Sequence, residues 1–389
     1  MSAADVSSAH DSRSHLAQVY AQYPLDIAEA SGVHLSTRDG RQILDLYGGH
    51  AVAALGYGHP RWVAALSSQA RTLAFQSNAV PLDVRERAAA KLVEFCGLGL
   101  DAVFFVNSGA EANENALKIA LSMTGRRHVV AIEGGFHGRT AAAGAVTWGA
   151  RESWYGFPAT PFDVSFLSRG DIAAVDRVVT SATAAVIVEP VQGVAGAVDL
   201  PAAFLEALRR RCDATCTQLI FDEVQCGVGR TGAPFAANHY RIQPDMITTA
   251  KALGAGFPVA ALLLAEHVAA HLGTNQLGTT FGGGPMACAV VETVIDVIRE
   301  ESLLENVNAR SVQIRDTCVV GPVQATQGAG LLLGLRTRRP AKDVQRELLA
   351  RDILAGTSAD PHIVRILAPY TLASEHVDQL RAALADLEP

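Results

Sequence analysis

The sequence predicts an α/β protein, a mostly parallel sheet covered by helices on both faces and joined to a smaller α+β domain. Three observations carry that expectation. Continuous apolar runs alternate with Ala-, Leu- and Arg-rich helical patterns through the middle of the chain, and polar residues gather just after those runs. The 389 residues also exceed the size at which one core stops growing. The expected division is an N-terminal part of the smaller domain at 1–48, a large ligand-binding domain at 49–275 and the rest of the smaller domain at 276–389.

Residues 102–106, 129–132, 184–188 and 218–221 form continuous apolar runs apart from Gln218 at the start of the last, as expected of strands buried on both faces of a parallel sheet. Helical patterns such as 110–123 and 202–211 lie between them, giving the βαβ alternation. The C-terminal third differs. It reads as a long helix from Pro285 to Glu300 and beyond, a glycine-rich hairpin at 328–335, a helix, a strand at 363–367 and a final helix. Residues 1–15 are polar, with no signal-peptide core and no Arg-rich transit pattern, and read as a frayed terminus.

Nearly half the residues are hydrophobic and 18% are charged, which suits a large α/β enzyme. A net charge of -7 argues against nucleic acid as a partner. No run approaches the roughly 18 apolar residues needed to span a bilayer, so no membrane association is expected. The six cysteines are scattered, and Cys212 and Cys216 have no second ligand pair for a metal. Structural thiols in a reducing cytoplasm are the expectation.

Candidate chemistry lies at the carboxyl ends of the strands, where open α/β sheets bind ligands. Asn107-Ser-Gly-Ala-Glu-Ala-Asn113 is a small-residue turn opening a helix, either a phosphate site or a plain tight turn. Phe136, His137 and Arg139 follow the next strand. Phe136 could stack on a planar ring and Arg139 could clamp a carboxylate, whereas His137 reads better as a hydrogen-bonded buried histidine. Glu189 and Asp222 end apolar strands and need partners. A protonated pyridine nitrogen would satisfy Asp222, while Glu223 reads as a structural ion pair. Lys251 follows an apolar stretch and a Thr pair within 245–250. In a desolvated pocket its amine would lose its proton and could form a Schiff base with an aldehyde cofactor; the alternative is a surface lysine at a strand end.

Gly227-Val-Gly229-Arg-Thr-Gly232 matches the dinucleotide fingerprint in its letters only. Asp-Glu precedes the glycines, Pro234 and Phe235 interrupt any helix opening at Gly232, and the next acidic residue is thirteen positions on. A flexible active-site turn fits better.

Together these segments resemble the class III (ornithine/acetylornithine-type) aminotransferases over nearly the whole chain. Asn-Ser-Gly-Ala-Glu-Ala-Asn, Phe-His-Gly-Arg-Thr, Phe-Asp-Glu-Val-Gln, Thr-Ala-Lys-Ala-Leu-Gly and Thr280-Phe-Gly-Gly stand in the family's order and spacing. The resemblance implies the fold-type I architecture with a seven-stranded central sheet, pyridoxal 5′-phosphate (PLP) as cofactor and a homodimer with active sites at the subunit interface. It implies that Lys251 forms the Schiff base and shuttles the proton, with Asp222 on the pyridine nitrogen and Glu189 beside them. Val224 and Phe136 would cover the two ring faces, Gln225 would reach the 3′-oxygen, and Ser108, Gly109 and Ala110 would hold the phosphate. Thr280 would reach the partner's phosphate, with Thr279 beside the substrate. Arg139 would bind a substrate carboxylate, and Arg365 the α-carboxylate of glutamate or 2-oxoglutarate.

Within the family the matches lean toward enzymes that transfer the δ-amino group of an N2-acylated ornithine to 2-oxoglutarate in arginine synthesis. One departure stands out: where the family usually has Glu-Gly after Glu-Pro-Val-Gln-Gly, this chain has Val194-Ala195. Arg365 then lacks its usual acidic switch partner. A subset of acyl-ornithine enzymes carries the same replacement, so acetyl, succinyl or a carrier-protein adduct stay open as the acyl group. An aminomutase, decarboxylase or racemase would keep Lys251 and Asp222 without needing both Arg139 and Arg365. A binding protein without activity would lose Lys251.

Overall fold

The structure, a computed structural model, describes residues 15–388. All but the last residue of the segment expected to be frayed lies outside them. Seven strands form the central sheet in the order Ala102–Val106, Ala260–Leu264, Met246–Thr249, Gln218–Asp222, Thr183–Val188, His128–Ile132, Asp163–Leu167. Only Ala260–Leu264 runs antiparallel to its neighbours. The four strands expected from the sequence are the middle of this sheet and one edge.

Thr183–Val188 and Gln218–Asp222 are buried along their whole length. A strand covered on both faces has no polar side to alternate with, and these runs are accordingly apolar between their ends, where Thr183, Gln218 and Asp222 stand. Helix Gly109–Thr124 begins at Ser108, whose side chain accepts from the N–H of Glu111 while Glu111 reaches back, a capping box. Left-handed Gly125 ends it. Helix Ala202–Thr215 extends four residues past the expected end and closes on left-handed Cys216.

The smaller sheets are antiparallel in the main. Ile27–Ser31, His34–Thr37 and Gln42–Asp45 form a meander that Ile353–Leu354 joins from the C-terminal region, so both ends of the chain share one sheet. The expected hairpin is Val323–Ala329 with Leu332–Thr337, and Ile363–Ile366 pairs with its second strand, Gly334 opposite Arg365. The long helix stops at Glu300, and a second, Leu303–Thr317, follows left-handed Ser302. Five of the six cysteines are buried and all are free. Among the described residues no helix is long and apolar enough to cross a membrane.

Candidate active site

A cavity of about 430 Å³ opens beyond the carboxyl ends of the central strands, within the size range of small-molecule sites. Ten of the expected residues line it: Ser108, Gly109, Ala110, Phe136, Arg139, Glu189, Asp222, Val224, Gln225 and Lys251. Adjacent strands deliver most of them, because a parallel sheet brings its C-terminal ends to one edge.

Asp222 is the last residue of its strand and is 2% exposed. Its carboxylate accepts from His137 Nδ1 at 2.7 Å, from Asn113 Nδ2 at 2.7 Å and from the Val224 N–H at 3.0 Å. Asn113 is itself fixed by the Thr248 hydroxyl at 2.7 Å and by the His137 carbonyl at 2.7 Å. The carboxylate is therefore held in one orientation by three donors, and its fourth lone-pair position is left for a protonated ring nitrogen. His137 is the buried, hydrogen-bonded histidine expected, with Nε2 left without a partner.

Lys251 follows the strand Met246–Thr249 and opens a short 3-10 turn in a left-handed conformation, φ 43°. For a residue with a Cβ that costs about 1–2 kcal/mol, a strain typical of functional positions. Burial lowers the affinity of its amine for a proton, and Asp222 and Glu189 only partly offset this. Glu189 is pushed up to about 7, first by burial and then by the Asp222 charge. It accepts from the Phe136 N–H at 2.7 Å and from the Gly193 N–H at 3.4 Å. Perturbed groups grouped in one cavity mark a reactive site rather than a surface lysine.

At the helix start, Glu111 takes the N–H of Asn107 at 2.7 Å and of Ser108 at 2.9 Å. The N–H groups of Gly109 and Ala110 stay free at the positive end of the helix, beside the Ser108 hydroxyl, which suits a phosphate. A Cβ on Gly109 would stand 2.7 Å from Val224 Cγ1, so only glycine lets the helix approach the ring wall. Gln225 donates Nε2 to the His50 carbonyl at 3.3 Å and leaves a buried Oε1 without a partner. Free N–H groups at one end, an orphaned amide at the edge and a carboxylate at the far side fit the phosphate, the ring substituents and the ring nitrogen of PLP.

Arg139 is exposed at the cavity and lies 4.3 Å over the Trp154 ring. Arg365 is buried and is not among the residues that line the cavity; it donates Nη1 to the carbonyl of Gly193, the neighbour of the lining Val194, at 3.1 Å and Nε to the Thr357 carbonyl at 2.7 Å. Neither arginine has an ion-pair partner among the described residues. Val194, at the position of the missing acid, lines the cavity. Thr279 and Thr280 do not line it. The hydroxyl of Thr279 accepts from Asn107 Nδ2 at 3.2 Å, and Thr280 is exposed.

Two expectations are corrected. Glu223 has no cationic partner among the described residues. It is buried and accepts from the N–H groups of Ala236 and Ala237, the latter at 2.8 Å, at the start of helix Ala236–Tyr240. A helix N-terminus supplies the compensation expected of an arginine or lysine. The 227–232 segment is not a flexible active-site turn, because it is buried from Gly227 to Thr231, with only Gly232 partly exposed, and does not line the cavity. Asn113, Thr248 and Gly193 escaped the sequence reading as functional positions. Asn113 stands at the end of the helix-opening turn, but nothing local pairs it with a carboxylate 109 positions away.

Fold and site define the class, a PLP-dependent transferase of fold type I. The family model for class-III aminotransferases matches residues 16–387. The chain is 36% identical over 381 residues to the acetylornithine aminotransferase of Methanocaldococcus jannaschii, covering 95% of each protein. It is 41% identical over 365 residues to that of Streptomyces coelicolor, covering 92% of this chain and 90% of the relative. The ornithine aminotransferase structure from Toxoplasma gondii, in which PLP partly occupies the active site, superposes with a TM-score of 0.88 at 28% identity, over 95% of this chain and 91% of that one. The chain belongs to the class-III aminotransferases.

Proposed function

We propose that this enzyme transfers the terminal amino group of N2-acetyl-L-ornithine to 2-oxoglutarate, giving N-acetylglutamate 5-semialdehyde and glutamate in arginine biosynthesis. The relatives named for that reaction support it. The observation that carries it is two arginines with no acidic partner among the described residues: Arg139, which lines the cavity with Lys251, and Arg365, whose charge acts on the Lys251 amine. Two guanidinium groups suit a dicarboxylate such as 2-oxoglutarate. Acylation leaves the donor one reactive amine at its far end and one carboxylate for Arg139.

Bound PLP supplies an aldehyde carbon for the amine and a ring that takes up an electron pair. Lys251 Nζ, whose hold on a proton is weakened by burial, would remove the proton from the carbon that bears the transferred amine. Asp222, oriented by His137 and Asn113, keeps the ring nitrogen protonated, and Glu189 holds the Phe136 backbone. Val224 and Phe136 hold the ring faces, Gln225 the ring oxygen, and Ser108, Gly109 and Ala110 the phosphate. Arg365 binds the α-carboxylate of glutamate or 2-oxoglutarate.

The proposal includes a cytoplasmic homodimer, with domain limits at 48/49 and 275/276, in which Thr280 reaches the partner's phosphate and Thr279 neighbours the substrate. Thr280 is exposed beside Phe281, which is 66% exposed and packs 5.2 Å from the 42%-exposed Phe75. A spectral half-reaction panel of acetylornithine, succinylornithine, ornithine, acetyllysine and 4-aminobutyrate tests the assignment. Acetylornithine is expected to react fastest; preference for free ornithine or 4-aminobutyrate rejects it.

A further inference from the structure

We propose that Arg230 is a positioning residue that holds Arg365 in place for the acceptor's carboxylate, and so sets acceptor affinity without touching substrate. This rests on the reading of Arg365 given above. Arg230 belongs to the glycine-rich segment that mimics a dinucleotide fingerprint, and it is completely buried. No carboxylate pairs with it among the described residues, an unusual condition for a buried guanidinium.

Its partners are carbonyls. Nη2 donates to Ala51 at 3.2 Å, Nη1 donates to Leu331 at 3.3 Å and also to Ala368, and the guanidinium lies 4.5 Å over the Tyr370 ring. Tyr370 in turn donates its hydroxyl to the Val228 carbonyl at 2.8 Å, locking the ring to the same loop. What these carbonyls share is their place around Arg365. Ala368 lies just beyond the strand Ile363–Ile366 that carries it. Leu331 is in the turn of the hairpin whose Gly334 pairs with Arg365. Ala51 closes a turn of four left-handed residues, Gly48 to Ala51 with φ between 55° and 68°, whose His50 carbonyl receives Gln225.

The loop bearing Arg230 descends from Asp222. One guanidinium thus ties the carboxylate clamp to the element that fixes the ring nitrogen. A rigid fork of five N–H donors spans three backbones in a way that an ammonium cannot. The backbones close tightly on it: a Cβ on Gly330 would stand 2.3 Å from the Arg230 carbonyl, and one on Gly229 would stand 3.1 Å from Tyr370 Cε2.

The test uses holoenzyme carrying Arg230→Met, Arg230→Lys or Tyr370→Leu, with Arg365→Lys as reference. Glutarate, a dicarboxylate that cannot react, is titrated by calorimetry, and KM is measured separately for glutamate and acetylornithine. Arg230→Met is expected to raise the glutarate Kd and the glutamate KM on the order of tenfold, the worth of one misaimed charge-assisted contact. The acetylornithine KM should stay within about twofold. Arg230→Lys should recover part of the loss, and Tyr370→Leu should shift the same constants less. Unchanged glutarate binding in folded Arg230→Met, or an equal rise for both substrates, overturns the proposal in favour of a purely structural arginine. Should Arg230→Met fail to fold, the other two variants decide by the same criteria. Normal glutarate binding in Arg365→Lys as well overturns the reading of Arg365, and this proposal with it.

Discussion

Gly193→Ala tests how tightly the site is packed around the proposed acceptor clamp. Gly193 is not left-handed, so alanine is allowed by its backbone and the perturbation is steric. The new methyl would stand 1.6 Å from Gln225 Oε1 and 2.6 Å from Cδ. Gln225 would have to retreat by roughly 1.8 Å to reach an ordinary contact. It is only 7% exposed, so there is little room. The move breaks its 3.3 Å bond to the His50 carbonyl, worth about 0.5–1.5 kcal/mol, and the overpacking costs about 1–3 kcal/mol more. A total of about 2–4 kcal/mol corresponds to a Tm lower by roughly 2–5 °C for a chain of this length. The peptide of Gly193 also faces Glu189 and Arg365, so the KM for 2-oxoglutarate should rise. Thermal melts and acceptor kinetics measure both, and the double variant Gly193→Ala/Gln225→Ala should recover at least about 1 kcal/mol. An unchanged Tm and acceptor KM, or no recovery in the double variant, would refute the contact as the cause.

Asp222→Asn must present an amide nitrogen either to the Val224 N–H or to the His137 and Asn113 donors; turnover is expected to fall by several orders of magnitude with cofactor retained, and near-normal turnover would contradict its role as the ring-nitrogen partner. Lys251→Ala should abolish covalent cofactor capture by borohydride, and capture that persists would place the reactive amine elsewhere. Burial lifts Glu223 from 4.5 to about 8 against the two N–H groups it accepts, so the folded chain holds this proton more tightly than the unfolded one. Stability from it is present below about 4.5 and lost as pH rises through about 8, with an upper bound of about 5 kcal/mol. Glu223→Gln should flatten that part of the Tm-against-pH curve, and parallel curves for variant and wild type would show that Glu223 does not titrate there.

The legible parts of this molecule are those whose cause is local. Residues 184–188 and 219–221, the latter after Gln218, announce buried strands because burial on both faces leaves no alternating polar side, and both lie within strands of the central sheet. Lys251 stood out because an apolar strand and a glycine-rich stretch flank it. Burial of Glu223 implied compensation, but sequence does not say whether a side chain or a helix end provides it. Here Pro234 and Phe235 stop the glycine loop and let Ala236 begin the helix that does. The Asn113–Asp222–His137 cluster and the fit of Gln225 against Gly193 join residues from different strands' ends, and no periodicity encodes them.

The replacement of an acid by Val194 changes the electrostatics of the proposed site more than its shape. A buried guanidinium with a nearby glutamate can exchange that partner for a substrate carboxylate, and binding then has to break an ion pair. In this chain Arg365 is held by two carbonyls, from Gly193 and Thr357, which fix its direction without neutralising its charge. Burial lowers its affinity for a proton, and Tyr47 and Tyr23 offset this together with Glu189. Tyr47 is close enough that a Cβ on Gly356 would stand 2.7 Å from its ring. On this reading the acceptor's carboxylate meets a cation already oriented and still unneutralised, with no competing acid to displace. The same openness removes a means of rejecting donors that carry a second carboxylate. Discrimination among acylated amines then falls to the cavity lining at Arg139, which lies against Trp154 with no other partner among the described residues.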